Sequence, residues 1–205
     1  MNLEVIKLDN LELKKLIDID RSLWIEYWEG YVEVYSKTGV SLDACQRILN
    51  EDWDEKLARL KEFEEKGLPP YGLKGISTVL MNNDKIVGHG SIFLNIEVVP
   101  AEEVPNHIGV SISPLYRNRG YGTQMVHLSI KELDKLGYKE IVISCDDENV
   151  SSSRMIEKNS GVLKEKVIKK LPRSGEEERL WRRYIVNVKE SIEKYENDRK
   201  DGYLK

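Results

Sequence analysis

Cysteine is scarce in this sequence, and a long hydrophobic run is absent. The 205 residues include two cysteines, Cys45 and Cys145, and no Cys-x-x-Cys pair. The sequence therefore argues against a disulfide framework or a cysteine-rich zinc site, and we expect a reduced, cytoplasmic setting. No apolar run approaches the ~18 residues that a membrane span needs. The segment 1–10 lacks the basic and apolar regions of a secretory signal, so we expect no membrane association.

An excess of basic residues is also lacking. The chain has 32 Lys and Arg against 36 Asp and Glu, which gives a formal net charge of −4. A general nucleic-acid binder carries a basic surface, so we expect no nucleic-acid partner. No clustered metal-ligand motif is visible, and we expect no metal. The length suits one domain with a sizeable core.

The most informative motif lies in residues 112–123, which read Ile-Ser-Pro-Leu-Tyr-Arg-Asn-Arg-Gly-Tyr-Gly-Thr. A short strand ends at the proline, a basic loop with two glycines follows, and a helix begins near Tyr121. The first N–H groups of a helix have no partner within it, and the helix dipole makes this end attractive to phosphate. Gly120 and Gly122 let a ligand approach the backbone, and Arg117 and Arg119 add forked donors. The motif predicts a pyrophosphate site, although a tight structural turn with two surface arginines has the same sequence.

The motif differs from two common phosphate loops. It is not the Walker sequence, and Gln124 and Met125 follow Gly122 where a dinucleotide fingerprint continues toward a third glycine. The pattern Arg-x-x-Gly-x-Gly after Ile-Ser-Pro resembles the acetyl-CoA loop of the GNAT superfamily of acyl-CoA N-acyltransferases. The strand at 140–145 and the segment 147–162, with Asn149 and a final Gly-Val pair, resemble the second half of that cofactor site. The resemblance covers about residues 74–188.

The resemblance implies a fold, a domain organisation and a cofactor. The expected fold is α/β (α+β mixed), with a mostly antiparallel mixed sheet of about six to seven strands, flanking helices and an N-terminal helical portion. We expect one domain over 1–188, divided into a helical part at 1–70 and an acetyl-CoA-binding core at 74–188, followed by a polar tail at 189–205. Acetyl-CoA is the implied co-substrate. The implied cofactor-binding residues are Ile112, Ser113, Arg117, Asn118, Arg119, Gly120, Tyr121, Gly122, Thr123, Asn149 and Ser152.

Hydrophobic periodicity and turn residues predict the order of the elements. Helices are expected over residues 11–36, from Ser41 through Leu49, and from Trp53 to Gly67. Strands are expected over 75–81 and 85–94, joined by a turn at 82–84, and over 106–113. The later elements are a helix at 121–136, a strand at 140–145, a helix at 150–160, and strands at 162–171 and 179–188 with a turn near 172–175.

The resemblance implies transfer of an acetyl group from acetyl-CoA to a primary amine by direct attack. A backbone N–H near Val110–Ile112 would polarise the thioester oxygen. Many family members have a tyrosine seven residues after the asparagine, where its hydroxyl protonates the departing thiolate, but this chain has Ile156 there. The acid is therefore not assigned, and a non-catalytic acyl-CoA-binding sensor or scaffold is the alternative. The acceptor is a small molecule or peptide of unknown identity, and the family suggests a homodimer.

Three further residues are candidates for the chemistry. His107 is the first candidate for the general base, because alternation puts it on one face with Gly109 and Ser111 and an imidazole titrates in a useful range. Glu97 is the second, since it would share a strand face with Asn95. The alternatives are a histidine bonded to a neighbouring carbonyl and an exposed edge charge. Trp28 is the candidate for holding a cationic substrate, with core packing as the alternative.

Overall fold

The structure is a computed structural model that describes residues 10–170 and 178–200. Its strands are β1 (Leu11–Lys15), β2 (Gly75–Asn82), β3 (Lys85–Phe93), β4 (Ile108–Ile112), β5 (Glu140–Asp146), β6 (Val162–Lys170) and β7 (Glu178–Asn187). Its α-helices are α1 (Arg21–Tyr35), α2 (Asp43–Leu49), α3 (Trp53–Glu65), α4 (Tyr121–Lys135), α5 (Val150–Lys158) and α6 (Val188–Lys200). Most predicted boundaries are confirmed within three residues. The predicted turn near 172–175 lies outside the described residues.

The described strands form two antiparallel sheets, and together they make the expected α/β fold. The first sheet has the order β1-β2-β3-β4, and the second has the order β5-β7-β6. Within the first, β2 and β3 are joined by the predicted turn, where Asn83 takes a positive φ of 54°. Asparagine tolerates this left-handed conformation better than most residues. The helix α4 connects the last strand of the first sheet to the first strand of the second.

The helix predicted over residues 11–36 is wrong in its first part. Residues Leu11–Lys15 form a strand that pairs with β2, and the helix begins only at Arg21 after Asp20 caps it. The Asp20 carboxylate accepts a hydrogen bond of 2.7 Å from the Ser22 amide. Leucines at 11 and 13 alternate with charged residues, which suits a strand, but Leu16 and Ile19 extend the helical spacing backward. The pairing partner, about 65 residues later in the sequence, decides between the two patterns.

Three hydrophobic clusters hold the helices against the sheets. One joins α4 to the second sheet through Val126, Ile130 and Ile141, which are fully buried. A second lies between α1 and the first sheet and includes Trp24, and a third packs Met125 of α4 against the opposite face of that sheet. Because the two helices pack on different faces, the edge where β4 meets β5 is left between them.

The segment that the sequence analysis treated as a polar tail begins with a helix that packs on α4. Along α6, Val188, Ser191 and Tyr195 are buried. The Tyr195 ring stacks on His127 of α4 with a centroid separation of 3.8 Å, and its hydroxyl donates to the side-chain oxygen of Gln124. Residues 188–200 are therefore packed against the core helix. No α-helix among the described residues is long and apolar enough to cross a membrane.

The buried His127 gives an expected pH dependence of stability. Burial, with a contribution from Lys131, lowers the pKa of His127 to about 4 from its ordinary value of 6.5. The unfolded chain therefore takes up the proton first, and the free energy of unfolding should fall as the pH drops from about 6.5 toward about 4. Above about pH 6.5 this group is neutral in both states and contributes no slope.

Replacing His127 by glutamine tests this expectation. Denaturation in urea between roughly pH 7 and pH 4 should show a smaller loss of stability in His127→Gln than in the wild type, because one titrating group has been removed. His89 retains its own contribution in the variant, so part of the slope should persist. Identical slopes in the two proteins would contradict the assignment to His127.

Candidate functional site

The strands β4 and β5 meet at one end and separate toward the other. At the closed end the His107 amide donates to the Val142 carbonyl at 2.9 Å, and the Val142 amide donates to the His107 ring at 2.9 Å. The Asn106 side chain fills the same junction: its amide nitrogen donates to the Ile108 carbonyl at 2.6 Å, and its oxygen accepts from the Ser144 amide at 3.3 Å. Beyond this junction the strands belong to different sheets. A gap with one closed end results.

The edge of β4 that faces this gap has backbone groups directed into it. The amide of Ser113 donates to Val87, and the carbonyl of His107 accepts from Phe93, so the odd-numbered residues bond to β3. In an antiparallel ladder the backbone groups of alternate residues point to opposite sides. The amide and carbonyl of Val110 therefore face the gap. This is the edge at which the sequence analysis expected the thioester oxygen to be polarised.

A cavity of about 580 Å³ occupies the open part of the gap. Its volume lies within the range of small-molecule and cofactor sites. Three cationic side chains line it, from Arg117, Arg154 and Lys158, and its described lining includes no carboxylate. Eight of the residues predicted to bind the cofactor line this cavity together with Arg117; they are Ile112, Asn118, Gly120, Tyr121, Gly122, Thr123, Asn149 and Ser152.

The N-terminus of α4 opens onto the cavity, as the motif predicts. Gly120 is the N-cap, with φ +81° and ψ −7°, and no side chain caps the helix. A left-handed φ costs a residue with a Cβ roughly 1–2 kcal/mol, so glycine is suited to this position. The first amides of α4 can therefore be approached by an anion. Asn118, two residues earlier, also has a positive φ, of +62°.

The two glycines of the motif have different roles. A Cβ on Gly122 would lie 2.8 Å from the Met155 sulfur and 3.6 Å from Ile112, so this glycine lets α4 approach α5. Gly120 instead makes the turn into the helix. Before Gly122, Tyr121 is buried, and its hydroxyl accepts a hydrogen bond of 2.9 Å from the Asn82 side chain. After Gly122, the backbone carbonyl of Thr123 accepts a hydrogen bond from the Asn159 side chain. Tyr121 therefore anchors the helix through its ring.

The two arginines of the loop make contacts within the protein. Arg117 donates from Nε to the Ile112 carbonyl at 3.2 Å and from its terminal nitrogen to the Tyr35 hydroxyl at 3.2 Å. Arg119 lies over the Tyr116 ring at 5.8 Å and does not line the cavity. Arg117 is thus held at the cavity wall, whereas Arg119 is directed along the surface.

Ser113, also predicted to bind the cofactor, is buried on the side of β4 that faces α1 and lies outside the cavity lining.

The asparagine after β5 is a helix cap as well as a cavity residue. The Asn149 side-chain oxygen accepts from the Ser152 amide at 3.0 Å, which is the usual geometry of an N-cap. Its side-chain NH₂ group has two donors that this bond does not use. Ile156, seven residues later, is 1% exposed and packs in the core. The position that carries tyrosine in many family members therefore supplies no proton here.

His107 lies at the closed end of the gap. Its ring nitrogen Nδ1 accepts from the Val142 amide, so its proton in the neutral form is on Nε2. Burial lowers the pKa of His107, although the nearby Glu97 acts in the opposite direction. The base role stays a prediction, because this geometry uses the lone pair that would take up a proton.

The placement of Glu97 on a strand face with Asn95 is wrong. The strand β3 ends at Phe93, and Glu97 lies in a short 3-10 helix, Ile96–Val98, with its side chain exposed. Asn95 is used locally, because its oxygen accepts from the Lys74 amide at 2.6 Å. Glu97 is near His107, as its effect on that pKa shows, and its catalytic role stays a prediction.

Trp28 is on the buried face of α1, within a cluster of aromatic side chains. It is 8% exposed, its ring centroid is 5.3 Å from that of His89, and it is not part of the cavity lining. Its role in substrate binding stays a prediction that this position does not favour. The sequence analysis missed His89, whose Nδ1 is 2.8 Å from the Tyr27 hydroxyl. Alternation along β3 could have placed His89 on a face but could not have shown its partners.

Among the described residues, no group of three or more His, Cys, Asp or Glu side chains is arranged to hold a metal ion. The two cysteines are both buried. The cavity suits an anionic, elongated ligand, because it combines a helix N-terminus, cationic side chains and the edge of β4, whose backbone amide and carbonyl groups point into the gap. Such a ligand would lie along β4 with its phosphates at the start of α4.

Comparison with known families agrees with this geometry. A model of the acetyltransferase (GNAT) family matches residues 42–162, which is more than half of the chain. The protein therefore belongs to the GNAT acetyltransferase family. A search of curated protein sequences finds no match to the chain.

Solved structures of acetyltransferases have a similar fold. The putative acetyltransferase yncA from Salmonella typhimurium, solved with acetyl-CoA, shares 13% identity over 87% of this chain and 94% of its own, with a TM-score of 0.56. The spermidine N-acetyltransferase from Vibrio cholerae, solved with CoA and spermine, shares 12% over 90% and 99%, with a TM-score of 0.57. RimJ from Mycobacterium smegmatis, in complex with CoA-disulfide, shares 12% over 90% and 87%, with a TM-score of 0.64.

Proposed function

We propose that this protein is an acetyl-CoA-dependent N-acetyltransferase that acts on a primary amine by direct attack. The observation that carries the proposal is the cavity bounded by β4, the start of α4 and α5, because it joins an uncapped helix N-terminus to an open strand edge. Family membership supplies the reaction class. From sequence composition alone we also propose a cytoplasmic protein, and from the family a homodimer.

The residues around the cavity suit the two ends of acetyl-CoA. The first amides of α4 and the guanidinium of Arg117 would hold the pyrophosphate, with Arg154 and Lys158 adding positive charge nearby. The pantetheine arm would lie along the open edge of β4 as an added strand does. The side-chain NH₂ of Asn149, which also lines the cavity, would donate to the arm.

The reaction needs a polarised thioester and a neutral amine. The backbone amide of Val110 faces the gap, and it would donate to the thioester oxygen in the manner of an oxyanion hole. Ile156 supplies no hydroxyl for the departing sulfur, which is the observation that favours the alternative of a non-catalytic acyl-CoA sensor. His107 and Glu97 remain candidates for the general base, but their positions in the structure add no support for that role.

Two measurements on the purified protein test the proposal. Calorimetric titration with acetyl-CoA should show one binding event, and a thiol-release assay with a panel of polyamines, amino acids, aminoglycosides and peptides should show CoA production with at least one amine. Binding without release of CoA for any amine would support the sensor instead. No binding by the folded protein would refute both functions.

A further inference from the structure

A chain of hydrogen-bonding groups leads from the cofactor cavity into the interior. Ser111 lines the cavity, and its hydroxyl oxygen is 3.0 Å from the Tyr31 hydroxyl. The Tyr31 hydroxyl is 3.2 Å from that of Tyr27, which is 2.8 Å from Nδ1 of His89. The four groups come from β4, α1 and β3, so only the folded protein brings them together. We call this set the hydroxyl chain.

The two tyrosines in the middle of the hydroxyl chain are buried, and Ser111 and His89 at its ends are half-buried. The Tyr27 and Tyr31 side chains are each 4% exposed. Burial raises the pKa of Tyr27 far above its ordinary value, mainly by desolvation, and Arg117 opposes this weakly. Burial and the nearby Lys56 lower the pKa of His89 to about 4. Near neutral pH, Tyr27 therefore carries its hydroxyl proton, and His89 is neutral with a single proton on one of its two ring nitrogens.

The direction of the hydroxyl chain depends on which nitrogen of His89 is protonated, because each hydroxyl has one proton to donate. With the proton on Nδ1, His89 donates to Tyr27, Tyr27 to Tyr31, and Tyr31 to Ser111. The hydroxyl proton of Ser111 is then not used within the chain and can be donated to another group. With the proton on Nε2, the donor and the acceptor of every hydrogen bond in the chain are exchanged, and Ser111 donates its proton to Tyr31.

The position of Ser111 distinguishes it from the other hydroxyls that line the cavity. It directly follows Val110, whose amide faces the gap. Thr123 lies in the first turn of α4, Ser151 and Ser152 lie on α5, and the Tyr121 hydroxyl accepts from Asn82 inside the protein. Tyr116 lies beyond the end of β4, in the short 3-10 helix Pro114–Tyr116. Ser111 is thus the lining hydroxyl on the strand along which the thioester would lie.

We propose that Ser111 is the proton-shuttling hydroxyl of the acetyl transfer and that His89, protonated on Nδ1, holds it in place through Tyr27 and Tyr31. In this step the neutral amine nitrogen bonds to the acetyl carbon, and the carbon–sulfur bond breaks with its electron pair remaining on sulfur. Ser111 takes a proton from the nitrogen and gives its own to the sulfur, so the serine is unchanged. This inference rests on the proposed function and supplies the hydroxyl that position 156 lacks.

The first test determines which nitrogen of His89 is protonated, and it does not depend on turnover. Nitrogen NMR of ¹⁵N-labelled histidine side chains, with His89 assigned from a His89→Asn variant, should show the proton of the neutral ring on Nδ1 at neutral pH in the free protein. In Tyr27→Phe the Nδ1 signal should move, because its acceptor is lost. A proton on Nε2 in the wild type overturns the proposal.

The second test separates positioning from a general structural effect. Ser111→Ala and Tyr31→Phe should each lower kcat on the order of 10²-fold, which is a common size for lost proton transfer, while the Kd for acetyl-CoA stays within about twofold. Tyr184→Phe is the matched control, because its hydroxyl is also lost from a buried ring but bonds to Glu157. It should keep kcat within about twofold of the wild type. His89→Asn retains a donor near the position of Nδ1, so it should keep more activity than His89→Leu.

The outcomes of these tests are distinguishable. A wild-type protein that releases no CoA with any amine refutes the proposed function and this proposal with it. A wild type that turns over while Tyr31→Phe matches it in kcat overturns the hydroxyl chain alone. An equal loss of kcat in Tyr184→Phe and Tyr31→Phe also overturns it, because the effect would then follow from a missing buried hydroxyl anywhere in the fold.

Discussion

Replacing Gly120 by glutamate should abolish measurable acetyl-CoA binding, with an increase in Kd on the order of 10³-fold. A like-charge contact across an interface costs several kcal/mol, and each 1.4 kcal/mol is a factor of about ten in Kd. Gly120 is exposed at the N-terminus of α4 and lines the cavity, so the new carboxylate would occupy the place proposed for the pyrophosphate. Calorimetry with acetyl-CoA measures the effect directly.

The same helix offers a matched control. Gly137 follows the C-terminal end of α4, also has a left-handed φ of +89°, and a Cβ there would meet no atom within 4 Å. Gly137→Glu therefore carries the same new charge and a similar backbone strain, but far from the cavity. We expect it to bind acetyl-CoA within about twofold of the wild type. Equal loss of binding in the two variants would show that strain in α4, and not charge at its N-terminus, is responsible.

Replacing Tyr195 by alanine should lower the free energy of unfolding by about 3–5 kcal/mol, the usual cost of removing a large buried aromatic side chain. Tyr195 is 3% exposed, stacks on His127 and donates its hydroxyl proton to Gln124. Its loss would leave a cavity between α4 and α6 and a buried amide oxygen without its partner. Denaturation in urea gives the change in free energy.

An exposed neighbour on α6 provides the comparison. Glu193 is exposed on the same helix, so Glu193→Ala should change the free energy of unfolding by less than about 0.5 kcal/mol. The difference between the two variants tests the domain boundary proposed at residue 188. If Tyr195→Ala were as stable as Glu193→Ala, the boundary at residue 188 and the polar tail at 189–205 would stand as the sequence analysis predicted them.

The parts of the fold that depend on neighbours in sequence were predicted well. The hairpin at Asn83, the starts of α3 and α5, and the turn into α4 at Gly120 all follow from local backbone preferences. The strand β1 was mistaken for helix, because a five-residue segment carries little periodicity of its own. Its state was decided by pairing with β2, much later in the chain.

The candidate site divides in the same way. The half proposed to bind the anion is one continuous loop, and its sequence alone predicted the ligand. The proposed proton-handling half is discontinuous: Tyr31 and Ser111 are 80 residues apart, and Tyr27 and His89 are 62 apart. No pattern of spacing connects them, so the sequence analysis turned to His107 and Glu97, which the fold places at the closed end of the gap and in an exposed turn.

The sequence by itself determined the class of this protein, since a strand end, a glycine turn and a helix start stand together in twelve consecutive residues and the segment 140–162 continues the same family pattern. The tertiary structure alone decided how β4 and β5 separate, that α6 packs on α4, and which side chains meet beside Val110. Those features depend on contacts between segments far apart in the chain, where burial and pairing outweigh local preference.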